Sequence, residues 1–420
     1  MGQLTRRGLL GAALAAGAMG AGLPIGPADA VPGAASAGAG AGAADASTGA
    51  ASASAASVSA ASVSAASVSA AGAEAGAGPG PVRLTLPRPT GPFPVGTVPM
   101  RLVDRSRPDP VAGAGHFREL MVSVWYPARD VSGFPRAPWL LPAVLRELLA
   151  DAGFAPDAVL APWTSGHAGA PVRRSSGGLP VVLFSHGAHD HRADSTVVVQ
   201  ELASHGYAVV TVDHTYDAFS EFPDGRVIVP VGDPVLLARD FADDLLFLVD
   251  TIGRGGLGPA LDPRRIGVFG WSKGATAAAL TMIEDRRVLA GLSFDGPMLP
   301  VITADLDRPF MLMTAEYTRD AAPSVAEFWS RLRGWRLDVR AEGAVHSSYV
   351  DYQVLYPQLA GVVGMGDEQL AALIGTLDPG RAVRIQQAYP LAFFDRHLRG
   401  LREGLLDGPS RVFPEVVFPG

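Results

Sequence analysis

The chain has 420 residues, 48% hydrophobic and 18% charged, with a net charge of −7 and no cysteine. The acidic balance offers no basic surface for nucleic acid, and the lack of cysteine excludes disulfides, a thiol nucleophile, a lipoprotein anchor and thiolate metal sites. At the start, Arg6 and Arg7 precede the apolar run "GLLGAALAAGAMGAGL", and the small-residue site "ADA" ends at Ala30. Basic n-region, apolar h-region and A-x-A site read as a twin-arginine export signal over residues 1–30, with cleavage near Ala30. The run is short and rich in Gly and Ala, which favours a cleaved signal over a membrane anchor. Residues 31–80 are almost entirely Ala, Gly and Ser. They carry too little bulky apolar surface to offset the entropy of ordering, and read as a spacer. Residues 81–420 are long enough for one large domain.

Within that domain, "ELMVSVWYPA" (Glu119 to Ala128) has strand character. Val131 to Gly178 is rich in Pro and Gly with one helical patch, "PAVLRELLADAG", and reads as an excursion from the sheet bordering a pocket. "LPVVLFSHG" (Leu179 to Gly187) is a continuous apolar run, as expected of a strand buried on both faces. Asp194 or Ser195 is then placed to cap the helix "TVVVQELASHG", which Gly206 ends. After the buried strand "YAVVTVDHT", a helix is predicted over "DPVLLARDFADDLLFLVDTIG", with Asp233 at its cap and Pro234 in its first turn. Strand "RRIGVFG", helix "KGATAAALTMI", strands "VLAGLSFDG" and "PFMLMTAEYT", helix "SVAEFWSRLRG", strand "WRLDVRAEG" and helix "RIQQAYPLAFFDRHLRG" complete the chain. Strands alternating with helices at this spacing predict an α/β domain with a doubly wound, mostly parallel sheet.

Gly270-Trp271-Ser272-Lys273-Gly274 reads G-x-S-x-G. Alone the pattern is weak. Here an apolar strand ends at Gly270 and a helix of small residues follows Ser272, the strand–turn–helix context of the nucleophile elbow in the α/β-hydrolase fold. Side chains two residues either side of the serine would collide in so sharp a turn, hence the glycines. Ala275, Ala277 and Ala278 let the helix approach the sheet. A serine hydroxyl needs a base, itself oriented by an acid, and in this fold the order is Ser, acid, His. Downstream of Ser272 stand only His346 and His397. His346, in "AEGAVHSSY", occupies a loop after a predicted strand and suits the base; His397 reads as a surface residue of an amphipathic helix. Asp295, Glu316 and Asp320 all follow suitable strands as candidate acids. The oxyanion hole needs two backbone N–H groups, one from Lys273 and one from the loop after "LFSHG", at Ala188. Trp271, His186 and Gly187 are expected to shape the substrate side of the site. "HGAHDHRAD" gathers His186, His189, Asp190, His191 and Asp194, but its spacing does not complete a metal motif, so a polar loop bordering the pocket is expected, with no metal and no cofactor.

The pieces "TGPFPVGTVPMRLVDRSRPDP", "RELMVSVWYPA", "VVLFSHGAHDHR", "ELASHGYAVVTVDH", "GVFGWSKGATAA", "GLSFDGPMLP" and "GAVHSSYVDYQ" resemble the type II (plasma-type) platelet-activating-factor acetylhydrolases and their bacterial relatives, from about Thr90 to Gly400. The resemblance implies a triad of Ser272, Asp295 and His346, with Ala188 and Lys273 as oxyanion donors. It implies calcium-independent cleavage of the sn-2 ester of phospholipids carrying short or oxidised acyl chains, with transient contact to a lipid surface. The family usually has "GHSFGG" at the elbow, whereas this chain has Trp271 and Lys273. "GWS" also occurs in secreted cutinase-like polyesterases, which share the fold and triad but usually carry disulfides. A general carboxylesterase and a non-catalytic binding protein of the same fold are the other readings.

Overall fold

The computed structural model describes residues 80–232, 236–258, 260–402 and 404–420. The export signal, all but the last residue of the spacer, and Asp233 and Pro234 lie outside the described residues. Eleven strands form the main sheet: β1 (Val95–Asp109), β2 (Gly113–Pro127), β3 (Arg136–Pro138), β4 (Trp163–Ala168), β5 (Leu179–Ser185), β6 (Ala208–Asp213), β7 (Leu261–Trp271), β8 (Val288–Phe294), β9 (Phe310–Thr314), β10 (Arg336–Ala341) and β11 (Val416–Val417). Their order is β11-β10-β9-β8-β7-β5-β6-β2-β1-β4-β3. From β10 to β6 every neighbouring pair is parallel. The long hairpin β1–β2 then adds antiparallel strands at one side.

The apolar run of β5 explains its place near the centre of this sheet. Val181 and Leu183 point to one face, among Phe241, Leu245 and the alanines after Ser272. Val182 and Phe184 point to the other, among Val198, Leu202, Ile385 and Phe393. Period-two alternation with both faces covered makes every position apolar. Helices α1 (Pro142–Asp151), α2 (Thr196–Ser204), α3 (Ala238–Gly253), α4 (Lys273–Glu284), α5 (Pro323–Arg331), α6 (Tyr352–Val363), α7 (Asp367–Ile374) and α8 (Pro379–Leu398) follow, with short 3₁₀ turns and two separate two-stranded pairings, Val82–Arg83 with Val159–Leu160 and Ser220–Glu221 with Val227–Ile228. Helices α3, α4 and α5 cover the first face; α2 and α8 cover the second. The connection after β5 leads to β6 on one side, and the next leads to β7 on the other. The sheet therefore reverses direction at the C-terminal ends of β5 and β7, the crevice where open α/β sheets bind ligands.

Several expectations need correction. Strand β1 exposes Arg101 and Arg105 and β2 exposes Ala114 to Phe117, so their pairing over that stretch has little apolar signal. Helix α3 begins at Ala238, with Asp240 bonding back to the Leu237 N–H at 2.7 Å. Helix α2 is not capped by its own neighbours. Ser195 makes no capping bond, and both Asp194 oxygens are buried without a hydrogen-bond partner. The cap comes from Asp351, whose carboxylate accepts the Thr196 and Val197 N–H groups, each at 2.9 Å, and the indole N–H of Trp139. His397 is not a free surface residue but packs against Trp335 and Phe393, with ring centroids 4.5 and 4.9 Å away. Burial pulls its pKa down to about 4.

Candidate active site

Ser272 stands between the end of β7 and the start of α4 with φ 54° and ψ −122°, a strained conformation for a residue with a side chain. The flanking glycines are required by contact. A Cβ on Gly270 would sit 2.2 Å from the Gly274 backbone, and one on Gly274 would sit 2.1 Å from the Ser185 carbonyl oxygen. The turn is tied to the next strand by the Ser272 N–H, which donates to the Phe294 carbonyl at 3.0 Å. Strain and close packing leave the hydroxyl at the surface of the crevice, with Ser272 9% exposed.

His346 begins a short 3₁₀ turn after β10. Its Nδ1 lies 2.7 Å from Asp295 Oδ2. Asp295 follows β8, fully buried and with φ 44°. Its other oxygen accepts the N–H groups of Ala315 at 2.7 Å and Tyr317 at 2.9 Å. These bonds fix the carboxylate so that one edge faces the imidazole. Of the three candidate acids, Asp295 is therefore the one on the ring. Glu316 instead accepts the backbone N–H of His346 at 3.1 Å, and Asp320 makes no hydrogen bond to His346. The histidine loop is braced from its other side by Trp271, whose indole N–H donates to the His346 carbonyl at 2.9 Å. Ser272 itself is not hydrogen-bonded to the imidazole; such bonds often tighten only when substrate arrives.

Above the elbow runs the loop after β5. Gly187 is needed there, because a Cβ would meet the Trp271 ring at 2.5 Å and Ser272 Cβ at 3.3 Å. The next N–H, that of Ala188, and the N–H of Lys273 donate no hydrogen bond within the protein among the described residues. Two such donors beside a serine can receive a developing oxyanion. His186 does not face substrate, contrary to expectation. It is fully buried, its Nε2 accepts the His214 N–H at 3.0 Å, and its pKa is held well below the usual value by burial first and by the neighbouring His214 second. Trp271 is likewise buried at 4% exposed, so its contribution is to support His346 rather than to line an open pocket.

The rest of the histidine-rich loop turns inward instead of forming a polar rim. His191 is fully buried, edge-on to Trp139 with ring centroids 4.7 Å apart, and burial pulls its pKa down to about 3. Asp190 accepts the Tyr352 hydroxyl at 2.7 Å, and burial pushes its pKa up to about 7. Among the described residues, no three His, Asp or Glu side chains converge as a metal site. The segment Val131–Gly178 is not an excursion throughout, since it supplies β3 and β4 to the sheet, but it does border a cavity of about 640 Å³ walled by Trp139, Leu140, Val144, Leu145, Phe219 and Trp125. Ser272, Asp295 and His346 are not among its walls. No helix among the described residues is long and apolar enough to cross a membrane.

Sequence reasoning missed two groups here. Ser185 Oγ lies 2.9 Å from His214 Nε2, and His214 Nδ1 lies 3.0 Å from Asp244 Oδ2. Asp217 accepts the His189 N–H and the Lys273 ammonium. Polar residues directly after the buried runs "VVLF" and "VVTV" were the available signal.

Fold and crevice together define a carboxylic ester hydrolase of the α/β-hydrolase type. A solved ferulic acid esterase from Streptomyces cinnamoneus superposes with a TM-score of 0.71 at 34% identity, covering 80% of this chain and 99% of that one. The family model for platelet-activating factor acetylhydrolase, isoform II, matches residues 82–220 and 256–406, and the chain belongs to that family. A probable 1-alkyl-2-acetylglycerophosphocholine esterase of Arthroderma benhamiae is 28% identical over 372 residues, 80% of this chain and 94% of that protein. A platelet-activating factor acetylhydrolase of Cavia porcellus is 23% identical over 286 residues, 57% of this chain and 64% of that protein.

Proposed function

We propose that the protein is a serine esterase acting on short-acyl esters through Ser272, His346 and Asp295. The observation that carries this reading is the strained Ser272 turn beside an imidazole held 2.7 Å from a buried carboxylate. Asp295 fixes the tautomer with the proton on Nδ1, so that Nε2 is free to take the Ser272 proton as Oγ attacks the ester carbonyl. The tetrahedral oxyanion forms against the N–H groups of Ala188 and Lys273. As it collapses, His346 returns the proton to the departing alkoxide, leaving an acyl-Ser272. Water, deprotonated by His346, then releases the acid. Asp295 is buried, and among the described residues no guanidinium or ammonium pairs with it, so its charge serves the imidazolium that forms at each step.

For substrate, the family relatives support the sn-2 ester of short-acyl glycerophospholipids. The ferulic acid esterase, more identical to this chain than those relatives, supports a second reading in which the acyl group is a hydroxycinnamate. One ester panel tests both. A 2-acetyl glycerophospholipid, p-nitrophenyl acetate, butyrate and palmitate, and methyl ferulate are compared by kcat/KM. The first reading expects the acetyl phospholipid and short p-nitrophenyl esters to lead and palmitate to trail. Methyl ferulate in the lead assigns the second. We also propose export by the twin-arginine route with cleavage near Ala30. Replacing Arg6 and Arg7 by lysine is expected to abolish export, and an unchanged exported yield would refute that route.

A further inference from the structure

Lys273 is a departure from the "GHSFGG" pattern, and it has a specific partner. Its Nζ donates to Asp217 Oδ2 at 2.6 Å and to the Leu236 carbonyl at 2.9 Å, and it lies 4.9 Å from the Phe241 ring centroid. Asp217, fully buried, uses its second oxygen on the opposite arm of the crevice: Oδ1 accepts the His189 N–H at 2.8 Å. His189 directly follows Ala188 and has φ 59°, a left-handed conformation that a residue with a side chain adopts only when held. Asp217 is itself anchored. Its N–H donates to the His214 carbonyl at 2.8 Å, and the next residues run beside the oxyanion loop, where the Phe219 N–H meets the Asp190 carbonyl at 2.9 Å. One carboxylate thus spans the residue after Ala188 and the side chain of Lys273.

We propose that Asp217 and the Lys273 side chain are positioning residues that set the spacing of the two oxyanion donors. The proposal rests on the serine-esterase reading above. Oxyanion donors act only within about 2.7–3.1 Å of the oxygen, so a small displacement of either arm weakens the transition state with little effect on ground-state binding. The ammonium is essential to the device, because an unpaired buried carboxylate would take up a proton or draw water into the loop.

The experiment measures kcat and KM on p-nitrophenyl acetate for Lys273→Met, Lys273→Arg, Asp217→Asn and the double variant Lys273→Met/Asp217→Asn. Inhibition by an aryl trifluoromethyl ketone, which forms a tetrahedral adduct, is measured alongside, with Ser272→Ala as a parallel control. The expected result is a kcat loss of about 30- to 300-fold for Lys273→Met and for Asp217→Asn, with KM within about threefold. Inhibition by the ketone should weaken in step with kcat, and Lys273→Arg should restore most of both. The double variant should lose no more than the worse single one, because both act through one spacing. It also removes both charges, so it keeps the test open where a single variant fails to fold. A folded Lys273→Met or Asp217→Asn variant with kcat within about threefold of the parent overturns the proposal, as does a loss carried by KM. If Ser272→Ala stays active, the serine reading falls instead. If Ser272→Ala is inactive while the Asp217 and Lys273 variants match the parent, only the positioning proposal falls.

Discussion

Two Ser–His–Asp sets lie in this molecule, each with a buried aspartate on the histidine Nδ1, and they differ in access and in charge. In the buried set, Ser185, His214 and Asp244 are all fully excluded from solvent, and both hydrogen bonds of the relay are already made. His214 stacks on Phe241 with centroids 3.6 Å apart. Asp244 pairs with Arg118 at 2.8 Å and with Arg107 at 2.8 Å, so its charge is already compensated. In the other set, Asp295 faces only N–H donors and an imidazole, His346 sits in a loop, and Ser272 is held in a strained turn beside two unbonded N–H groups. The lesson is that three residue types in hydrogen-bond order are not a catalytic device. Access, an uncommitted counter-charge and donors for an oxyanion distinguish a reactive set from a structural one.

The most drastic way to break this comparison is to delete each serine hydroxyl. Ser272→Ala is expected to lower kcat by about six orders of magnitude on p-nitrophenyl acetate, as loss of a serine nucleophile does elsewhere. Ser185→Ala should keep kcat within about tenfold and show its effect in a denaturant melt instead. It leaves the buried His214 Nε2 without a partner, a cost of about 1–3 kcal/mol. Comparable activity losses in the two variants would erase the distinction.

The acids separate the sets next. Asp295→Asn should keep the shape but favour the wrong imidazole tautomer, with a kcat loss on the order of 10⁴ and an intact melt. Glu316→Gln and Asp320→Asn should cost far less, since neither carboxylate reaches the ring. A collapse confined to one of those two variants would reassign the acid. Asp244→Asn is the mirror experiment. It leaves Arg118, 1% exposed, without its main counter-charge, and should lower unfolding free energy by about 3–5 kcal/mol while the folded fraction keeps its kcat.

The Ser272 set, proposed to be reactive, was far more legible in the sequence than the buried one. Ser272 lies inside a local signature, where five consecutive residues and the elements on either side report one sharp turn. His346 could be reached because only two histidines follow Ser272, and an order rule chose between regions. The acid needed the family resemblance, since Asp295, Glu316 and Asp320 each follow a strand and only tertiary contact selects the one on the ring. The central sheet was legible because both its faces are buried, which makes each strand a plain apolar run. Strand β1 was not, because pairing along a partly solvated edge leaves no such run. The Asp351 cap of α2 and the Asp217 link to Lys273 were out of reach for a simpler reason. Each joins segments 155 and 56 residues apart, and a lone aspartate after a strand or before a helix carries no mark of what it will meet.

The smallest effect tests the charge state of the buried relay. Burial is the dominant influence on His214 and lowers its pKa, although the Asp244 carboxylate pulls the other way. A histidine whose folded pKa lies below its unfolded value contributes stability that is present above about pH 6.5 and lost as the pH falls, because only the unfolded chain takes up the proton there. Other buried groups titrate in the same range, Asp190 among them, so the absolute stability curve mixes opposing slopes. The difference between the parent and His214→Asn cancels those shared terms. At pH 8 the parent should be more stable by about 1–3 kcal/mol, the cost of leaving Ser185 and Asp244 without their partner. Towards pH 5 that gap should narrow by up to about 2 kcal/mol, since the parent alone carries the imidazole that resists protonation when folded. Urea melts of both proteins at pH 8, 6.5 and 5 measure the gap directly. A gap that widens as the pH falls would mean that folded His214 gains a proton, with Asp244 outweighing burial. The relay would then be a charged pair resembling the imidazolium–carboxylate that the proposed mechanism forms only in passing at His346 and Asp295.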